Sequence, residues 1–309
     1  MTQSRRILVV SHTGRQEAIS AALETCEQLL SFDIIPVMAA DELIEFRSKA
    51  STAAQQQAIS SVHELGSDCA LEDLELVMVL GGDGTILKAA EIVREAQTPL
   101  MGINLGHVGF LAESERDGLR DAVQRAAQKD YLVKERLTLD VTVVVDSQVV
   151  YRSWALNEAT VEKSARERML EVVVEVDERP LSSFGCDGIV MSTPTGSTAY
   201  AFSAGGPVVW PSVQALLMVP LSAHALFARP LVINPNSKMA VEVLQRSAGH
   251  GVLWCDGRRT FELQPGSRVE VKRSEKSVRL ARLRQGPFTD RLVRKFALPV
   301  DGWRGPASA

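Results

Sequence analysis

Five apolar residues run straight into a glycine turn in Leu76-Val77-Met78-Val79-Leu80-Gly81-Gly82-Asp83-Gly84-Thr85. A short, uniformly apolar run bounded by a turn reads as a buried strand. The helical pattern Ile86 to Ala96 follows, with Thr85 expected as its N-cap. Glycines let an anion approach the backbone closely, and the free N–H groups at a helix start attract it. Gly81, Gly82, Gly84 and Thr85 are therefore expected to hold phosphate. A carboxylate in such a turn repels phosphate unless it has another task. Asp83 suits two tasks: accepting the proton of an attacking hydroxyl, or organising a divalent cation. An ordinary strand-to-helix turn also uses Gly and Asp, but double glycine followed by Asp-Gly-Thr is more specific.

Working outward, Ile7 to Val10, Ile34 to Val37 and Leu100 to Ile103 read as further strands, with Gln16 to Leu30 as an amphipathic helix. Alternating strands and helices imply a parallel sheet covered by helices, which binds ligands at the carboxyl ends of its strands. Ser48 to Ser61 reads as a mobile loop or a weak helix. The loop Asn104-Leu105-Gly106-His107-Val108-Gly109-Phe110-Leu111 is expected beside the first glycine turn. Phe110 there suits the core or the flat face of a base. Lys88, one helical turn beyond Thr85, either curls back toward a phosphate or lies on a solvated helix face. There is no GxxxxGK[ST] loop, and no GxGxxG after the first strand, so a P-loop enzyme and an ordinary Rossmann dehydrogenase both lose ground.

From about Thr138 the texture changes to short alternating strands, such as Leu139 to Val143, Leu170 to Val176, Met239 to Leu244 and Val269 to Lys272. Turn signals at Asp177-Glu178-Arg179-Pro180 and Asp256-Gly257 separate them, which argues for a β-sandwich-like second domain. Phe288 to Leu298 returns to a helical pattern and is expected to pack back on the first domain. The expected division is an α/β domain over residues 1–137, joined by 284–309, and a mainly β domain over 138–283. In the second half, Cys186 to Tyr200 crowds hydroxyls, a carboxylate and small residues into one segment. It suits either a polar surface loop or a site for a polar ligand. Asn157-Glu158 puts two polar residues inside an apolar run, on opposite faces if extended. The pair suits satisfied edge groups, a ribose diol or ring nitrogens.

The 309 residues are long for one domain, and 45% hydrophobic with 23% charged residues is ordinary for a globular protein. A net charge of −4, from 34 basic and 38 acidic residues, argues against nucleic-acid coating. Cys26, Cys69, Cys186 and Cys255 form no CxxC pair, which favours reduced thiols in a cytoplasm over disulfides or a zinc knuckle. His12, His63, His107, His224 and His250 lack metal-ligand spacing, so no protein-built metal site is expected. No stretch approaches membrane-spanning length, and no membrane partner is expected.

Together, Gly81 to Thr85, the Asn104 to Phe110 loop, Asn157-Glu158 and Asp187-Gly188 through Tyr200 resemble the NAD kinase family, in the family's order and across nearly the whole chain. The first motif is shared with diacylglycerol-type lipid kinases and loosely with phosphofructokinases; the Asn-Glu pair with Thr-Gly-Ser-Thr-Ala-Tyr is far more discriminating. The resemblance implies transfer of the terminal phosphoryl of ATP, or of polyphosphate in some bacterial members, to the 2′-hydroxyl of the adenosine ribose of NAD. It implies Asp83 as the base, with Gly84 lining the same spot. Asn157 and Glu158 would hold the nicotinamide-side ribose or amide. Asp187, Thr195, Thr198, Ala199, Tyr200, Ala201, Phe202 and Ser203 would line the dinucleotide site. Phe110 would flank the adenine, alone, because Leu111 stands where some relatives carry an aromatic residue. Asp256-Gly257 matches a family position near the nicotinamide but is also the commonest hairpin turn. Arg168 would reach the ligand from the second domain. Mg²⁺ or another divalent ion, bound through nucleotide phosphates, and a homodimer or homotetramer are implied as well. Two rivals stay open: a diacylglycerol-type lipid kinase and a non-catalytic NAD-binding sensor.

Overall fold

The computed structural model describes residues 4–106, 109–112, 114–115, 118–165, 168–283 and 286–300. His107 and Val108 of the second glycine loop lie outside the described residues, as do 284–285 and 301–309 of the expected first domain.

The chain begins with β1 (Arg6–Ser11), α1 (Gln16–Ser31), β2 (Ile35–Met38), α2 (Ala40–Lys49), α3 (Ala53–Ser60), β3 (His63–Glu64) and β4 (Leu76–Leu80). It continues through α4 (Asp83–Ile92), β5 (Leu100–Asn104), β6 (Ser114–Glu115), α5 (Leu119–Ala127) and β7 (Leu132–Arg136). Then follow β8 (Leu139–Val145), β9 (Gln148–Ala155), β10 (Glu158–Lys163), β11 (Leu170–Val176), β12 (Arg179–Cys186) and β13 (Gly188–Ser192). The short α6 (Tyr200–Ser203) leads to β14 (Leu216–Leu221), β15 (Leu231–Ile233), β16 (Met239–Val243), β17 (Gly251–Cys255), β18 (Arg259–Leu263) and β19 (Arg268–Arg273). The chain closes with β20 (Val278–Arg282) and α7 (Phe288–Phe296).

Two compact units result. One takes the chain up to Glu135 together with the stretch from Val278 onward; the other is Arg136–Ser277. The first unit's sheet runs β3-β2-β1-β4-β5-β20-β7, with β6 beside β5. Its central pairings are parallel, Ser11 opposite Leu80 and Leu80 opposite Ile103, so the loops after β1, β4 and β5 gather at one edge. The apolar run Leu76–Leu80 is fully buried, as a strand covered on both faces requires. The return to this sheet comes earlier than a boundary at 283 has it: β20 pairs parallel with β5, Leu280 opposite Leu100. Leu280 and Ala281 are buried, and that apolar pair is what draws the strand in. Ser48 to Ser61 is mostly helix: α2 ends at Lys49, and α3 begins on a capping box between Thr52 and Gln55.

The second unit is two six-stranded sheets, β15-β14-β13-β10-β17-β18 and β12-β11-β16-β19-β8-β9. The named pairings within both are antiparallel. Alternate residues from the two sheets, among them Val141, Val172, Val241, Ile189 and Leu253, form one apolar core, as a sandwich demands. Both turn signals are tight hairpins. Asp177 and Glu178, with φ of 52° and 62°, make a two-residue turn between Val176 and Arg179, while Asp256 and Gly257, with φ of 54° and 64°, open a three-residue turn before Arg259 pairs with Cys255.

Candidate functional site

In the first unit, the amide of Gly81 donates to the Ile103 carbonyl at 2.9 Å, tying the end of β4 to the end of β5. The helix starts earlier than Ile86: α4 opens at Asp83, with Gly82 as N-cap. Thr85 is thus the third helical residue rather than the cap, because the extended Gly82 already supplies the carbonyl that Thr85 and Ile86 bond. The Thr85 hydroxyl tucks under Gly81, where a Cβ would lie 2.4 Å from it. Gly82 and Gly84 are different. A Cβ on either would meet no atom within 4 Å, so the outer side of the turn is open to a ligand.

Asp83 is held by the second loop. The Phe110 amide donates to its Oδ2 and the Leu111 amide to its Oδ1, each at 3.1 Å. Gly109 presses on the same carboxylate; a Cβ there would stand 2.4 Å from Oδ1. Arg282 of β20 and Arg291 of α7 both interact electrostatically with Asp83. Burial holds both guanidinium groups below their ordinary value, Arg282 at about 9, while the Asp83 charge opposes that drift. These arginines escaped sequence reading, since no motif surrounds them.

Two expected ligand contacts in this unit are engaged elsewhere. Lys88 donates to Glu42 Oε1 at 2.6 Å, and Glu42 is buried, so the lysine balances an internal carboxylate on α2. Burial raises the Glu42 carboxyl above its usual range, and Lys88 opposes the rise. Phe110 is buried between Phe288 and Phe296, ring centroids 6.0 and 5.8 Å away. Its ring serves the docking of α7, the core alternative, and is not presented as a platform for adenine.

In the second unit the sequence-predicted residues converge. Asn157 lies in the bend between β9 and β10, and Glu158 opens β10; neither sits in mid-strand, and both are buried. The loop after β13 wraps this bend. Thr193 Oγ1 donates to the Leu156 carbonyl at 2.6 Å, and Ser192 Oγ to the Asn157 carbonyl at 3.0 Å. Asp256, read from sequence as a turn residue, does more. Its carboxylate accepts the amides of Leu156 at 2.9 Å, Asn157 at 2.7 Å and Glu158 at 3.4 Å. Arg259 completes the clamp at 2.9 Å and lies over the Trp154 ring at 4.5 Å.

Glu158 has one carboxylate oxygen, Oε2, buried without a hydrogen-bond partner. Burial first, then the charge of Asp256, push its carboxyl up to about 8; a hydrogen bond from the Tyr200 backbone opposes them. A buried polar atom left unpaired marks a place a ligand can satisfy. The Tyr200 hydroxyl is raised by burial and by the charges of Glu162, Glu158 and Asp187, which places these groups together. Asp187 pairs with Lys163, and that pairing lowers its carboxyl.

The rest of the loop divides by burial. Thr195 is buried and accepts from the Thr198 hydroxyl at 3.2 Å through its carbonyl. Tyr200, Phe202 and Ser203 are exposed, with Thr198 and Ala199 half-buried, so a ligand can reach them. Ala201 is the exception: it is fully buried against Val190 and Val219 and belongs to the core. Arg168 is exposed and bonded to the Ala248 carbonyl at 3.0 Å, a contact that does not join it to the Glu158 cluster.

A glycine turn at a helix N-terminus on the carboxyl edge of a parallel sheet, with a β-sandwich carrying a buried Asn-Glu bend, defines a kinase-class nucleotide enzyme. Two family models match: the ATP-NAD kinase N-terminal domain over residues 7–131 and the ATP-NAD kinase C-terminal domain over residues 156–283. An NAD kinase of Leifsonia xyli is 62% identical over 306 residues, covering 99% of each chain. One of Thermobifida fusca is 56% identical, covering 99% of this chain and 94% of the relative. The chain belongs to the NAD kinase family. The fold matches yeast NADH kinase complexed with NADH at a TM-score of 0.85, with 21% identity over 97% of this chain and 89% of that one. It matches an Archaeoglobus fulgidus NAD kinase in complex with ATP at 0.68, with 21% identity over 96% and 100%.

Proposed function

We propose that Asp83 takes the proton as the terminal phosphoryl of ATP moves to the 2′-hydroxyl of the adenosine ribose of NAD, giving NADP. The chain is by family a phosphotransferase acting on NAD. One observation carries the role of Asp83: its carboxylate is fixed by two amides beside an open glycine turn at the start of α4. Each carboxylate oxygen has two acceptor sites, so an oxygen already bonded to an amide still accepts a hydroxyl proton. The turn positions phosphates, and positioning with charge neutralisation is most of what phosphoryl transfer requires.

Asn157, Glu158, Asp187, Thr195, Thr198, Ala199, Tyr200, Phe202 and Ser203 form the dinucleotide cluster, and the unpaired Glu158 oxygen supports that assignment. Mg²⁺ or another divalent ion would arrive through nucleotide phosphates, with Asp83 offering hard oxygen ligands at the turn. Bound there, it would neutralise phosphate charge. Polyphosphate as donor rests on the same glycine turn, since that turn reads phosphate and no base.

Self-association into a homodimer or homotetramer is supported by an apolar edge of the second unit. Leu181 and Phe227 line one cavity there, and Leu226 beside Phe227 is fully exposed. A cytoplasmic setting is in keeping with four free cysteines, all buried. Among the described residues, no helix is long and apolar enough to cross a membrane.

A coupled assay for NADP, made from NAD with labelled ATP or polyphosphate, tests the reading. Asp83→Asn is expected to lower turnover by about 10²–10⁴-fold while NAD still binds. Label appearing in diacylglycerol alone would overturn the reaction, unchanged turnover in the variant would overturn the base, and tight NAD binding without product would leave a sensor.

A further inference from the structure

Asp83 is oriented by a segment that has no regular structure of its own. Gly109 to Ala112 follows β5, and its amides at Phe110 and Leu111 grip the two oxygens of the carboxylate. Consecutive amides aimed at one anion are a rigid receptor only if the peptides that carry them are fixed. The fixing comes from α7. Arg291 Nη1 donates to the Phe110 carbonyl at 2.9 Å and to the Ala112 carbonyl at 3.0 Å, bridging the two ends of the gripping segment. The Phe110–Leu111 peptide group therefore accepts from Arg291 through the Phe110 carbonyl and donates to Asp83 Oδ1 through the Leu111 amide. Hydrogen bonds in such a chain polarise each other, which strengthens the hold on the anion.

The helix is docked independently of this guanidinium. Phe288 and Phe296 take the Phe110 ring between them, and Arg291 lies three residues along from Phe288, on the same face. Arg282 of β20 adds a second positive charge that interacts with both Arg291 and Asp83.

We propose that Arg291 is a positioning residue for the transfer reaction: it fixes the Gly109–Ala112 segment whose amides aim the Asp83 carboxylate, so the C-terminal helix sets the geometry of the base. This rests on Asp83 being that base.

The test is a double-mutant cycle on the full chain, with NADP formation as readout. Arg291→Ala is expected to lower kcat by about 10–100-fold, because a misplacement on the order of 1 Å costs about that much. The KM for NAD is expected to stay within about twofold, since the dinucleotide cluster lies in the other unit. In the Asp83→Asn background the same change is expected to cost almost nothing, as residues acting through one another are not additive. Arg291→Lys, which keeps a donor and the charge, is expected to recover part of the loss. A kcat within twofold of the parent, or a loss that persists in full on Asp83→Asn, would overturn the proposal. Parental turnover in Asp83→Asn alone would instead sink the assignment of the base. A thermal midpoint measured on each variant separates these outcomes from unfolding, and if Arg291→Ala does not fold, Arg291→Lys and Arg291→Gln carry the same cycle.

Discussion

The carboxylate of Asp256 accepts the backbone amide of Asn157 at 2.7 Å across 99 residues of sequence. A hairpin-turn aspartate thereby builds the bend that presents the Asn-Glu pair. Asp256→Ala leaves three buried amides and Arg259 without their acceptor, a loss of about 2–5 kcal/mol by the usual cost of such groups. Chemical denaturation is expected to show that loss, and calorimetry a weaker affinity for NAD. Asp256→Asn is expected to lie between the variant and the parent.

Glycines in the two units fail for different reasons. A Cβ at Gly196 would stand 2.1 Å from the Asn157 carbonyl oxygen, so Gly196→Ala forces backbone apart and is expected to cost about 1–3 kcal/mol or more. Gly84→Ala meets no protein atom within 4 Å. It is expected to fold with a thermal midpoint close to the parent and to raise the KM for ATP. A cold-stable Gly84→Ala with parental kinetics would show that the open side of the turn holds no phosphate.

Glu158 supplies a pH dependence. Its folded carboxyl is raised from 4.5 to about 8, so the native state keeps a proton that the unfolded chain has released. That contribution is fully present below about 4.5, declines as pH rises through the window to about 8, and is gone above it. Glu158→Gln removes the titration while keeping the shape. Its thermal midpoint relative to the parent is expected to improve steadily from pH 6 to pH 8 and then level off. A constant difference across that range would place the titration elsewhere.

Lys88 and Glu42 make a partly buried pair, and a buried carboxylate without its cation is costly. Lys88→Met is expected to destabilise the first unit by about 1–3 kcal/mol, discounted because the lysine side chain is itself partly exposed. Adding Glu42→Gln is expected to restore most of the loss in denaturant melts. A larger effect on the KM for ATP than on stability would instead return Lys88 to the phosphate site.

What the sequence determined by itself was whatever a local pattern encodes. The apolar run Leu76–Leu80 read as a buried strand, the glycines after it as a turn into a helix, and the period-two runs after Thr138 as a sandwich, and the structure has all three. Asn157-Glu158 and the loop to Tyr200 were legible because residue types there are unusual for their surroundings. Partners far apart in sequence were not legible. Arg291 reaches Phe110 across 181 residues, Asp256 reaches Asn157 across 99, and Lys88 reaches Glu42 across 46. Each of these residues has several ordinary uses on a surface or in a turn, and only packing chooses among them. Tertiary structure therefore decided that Phe110 docks a helix, that Ala201 is core, and that the carboxylate in the glycine turn is aimed from the far end of the chain.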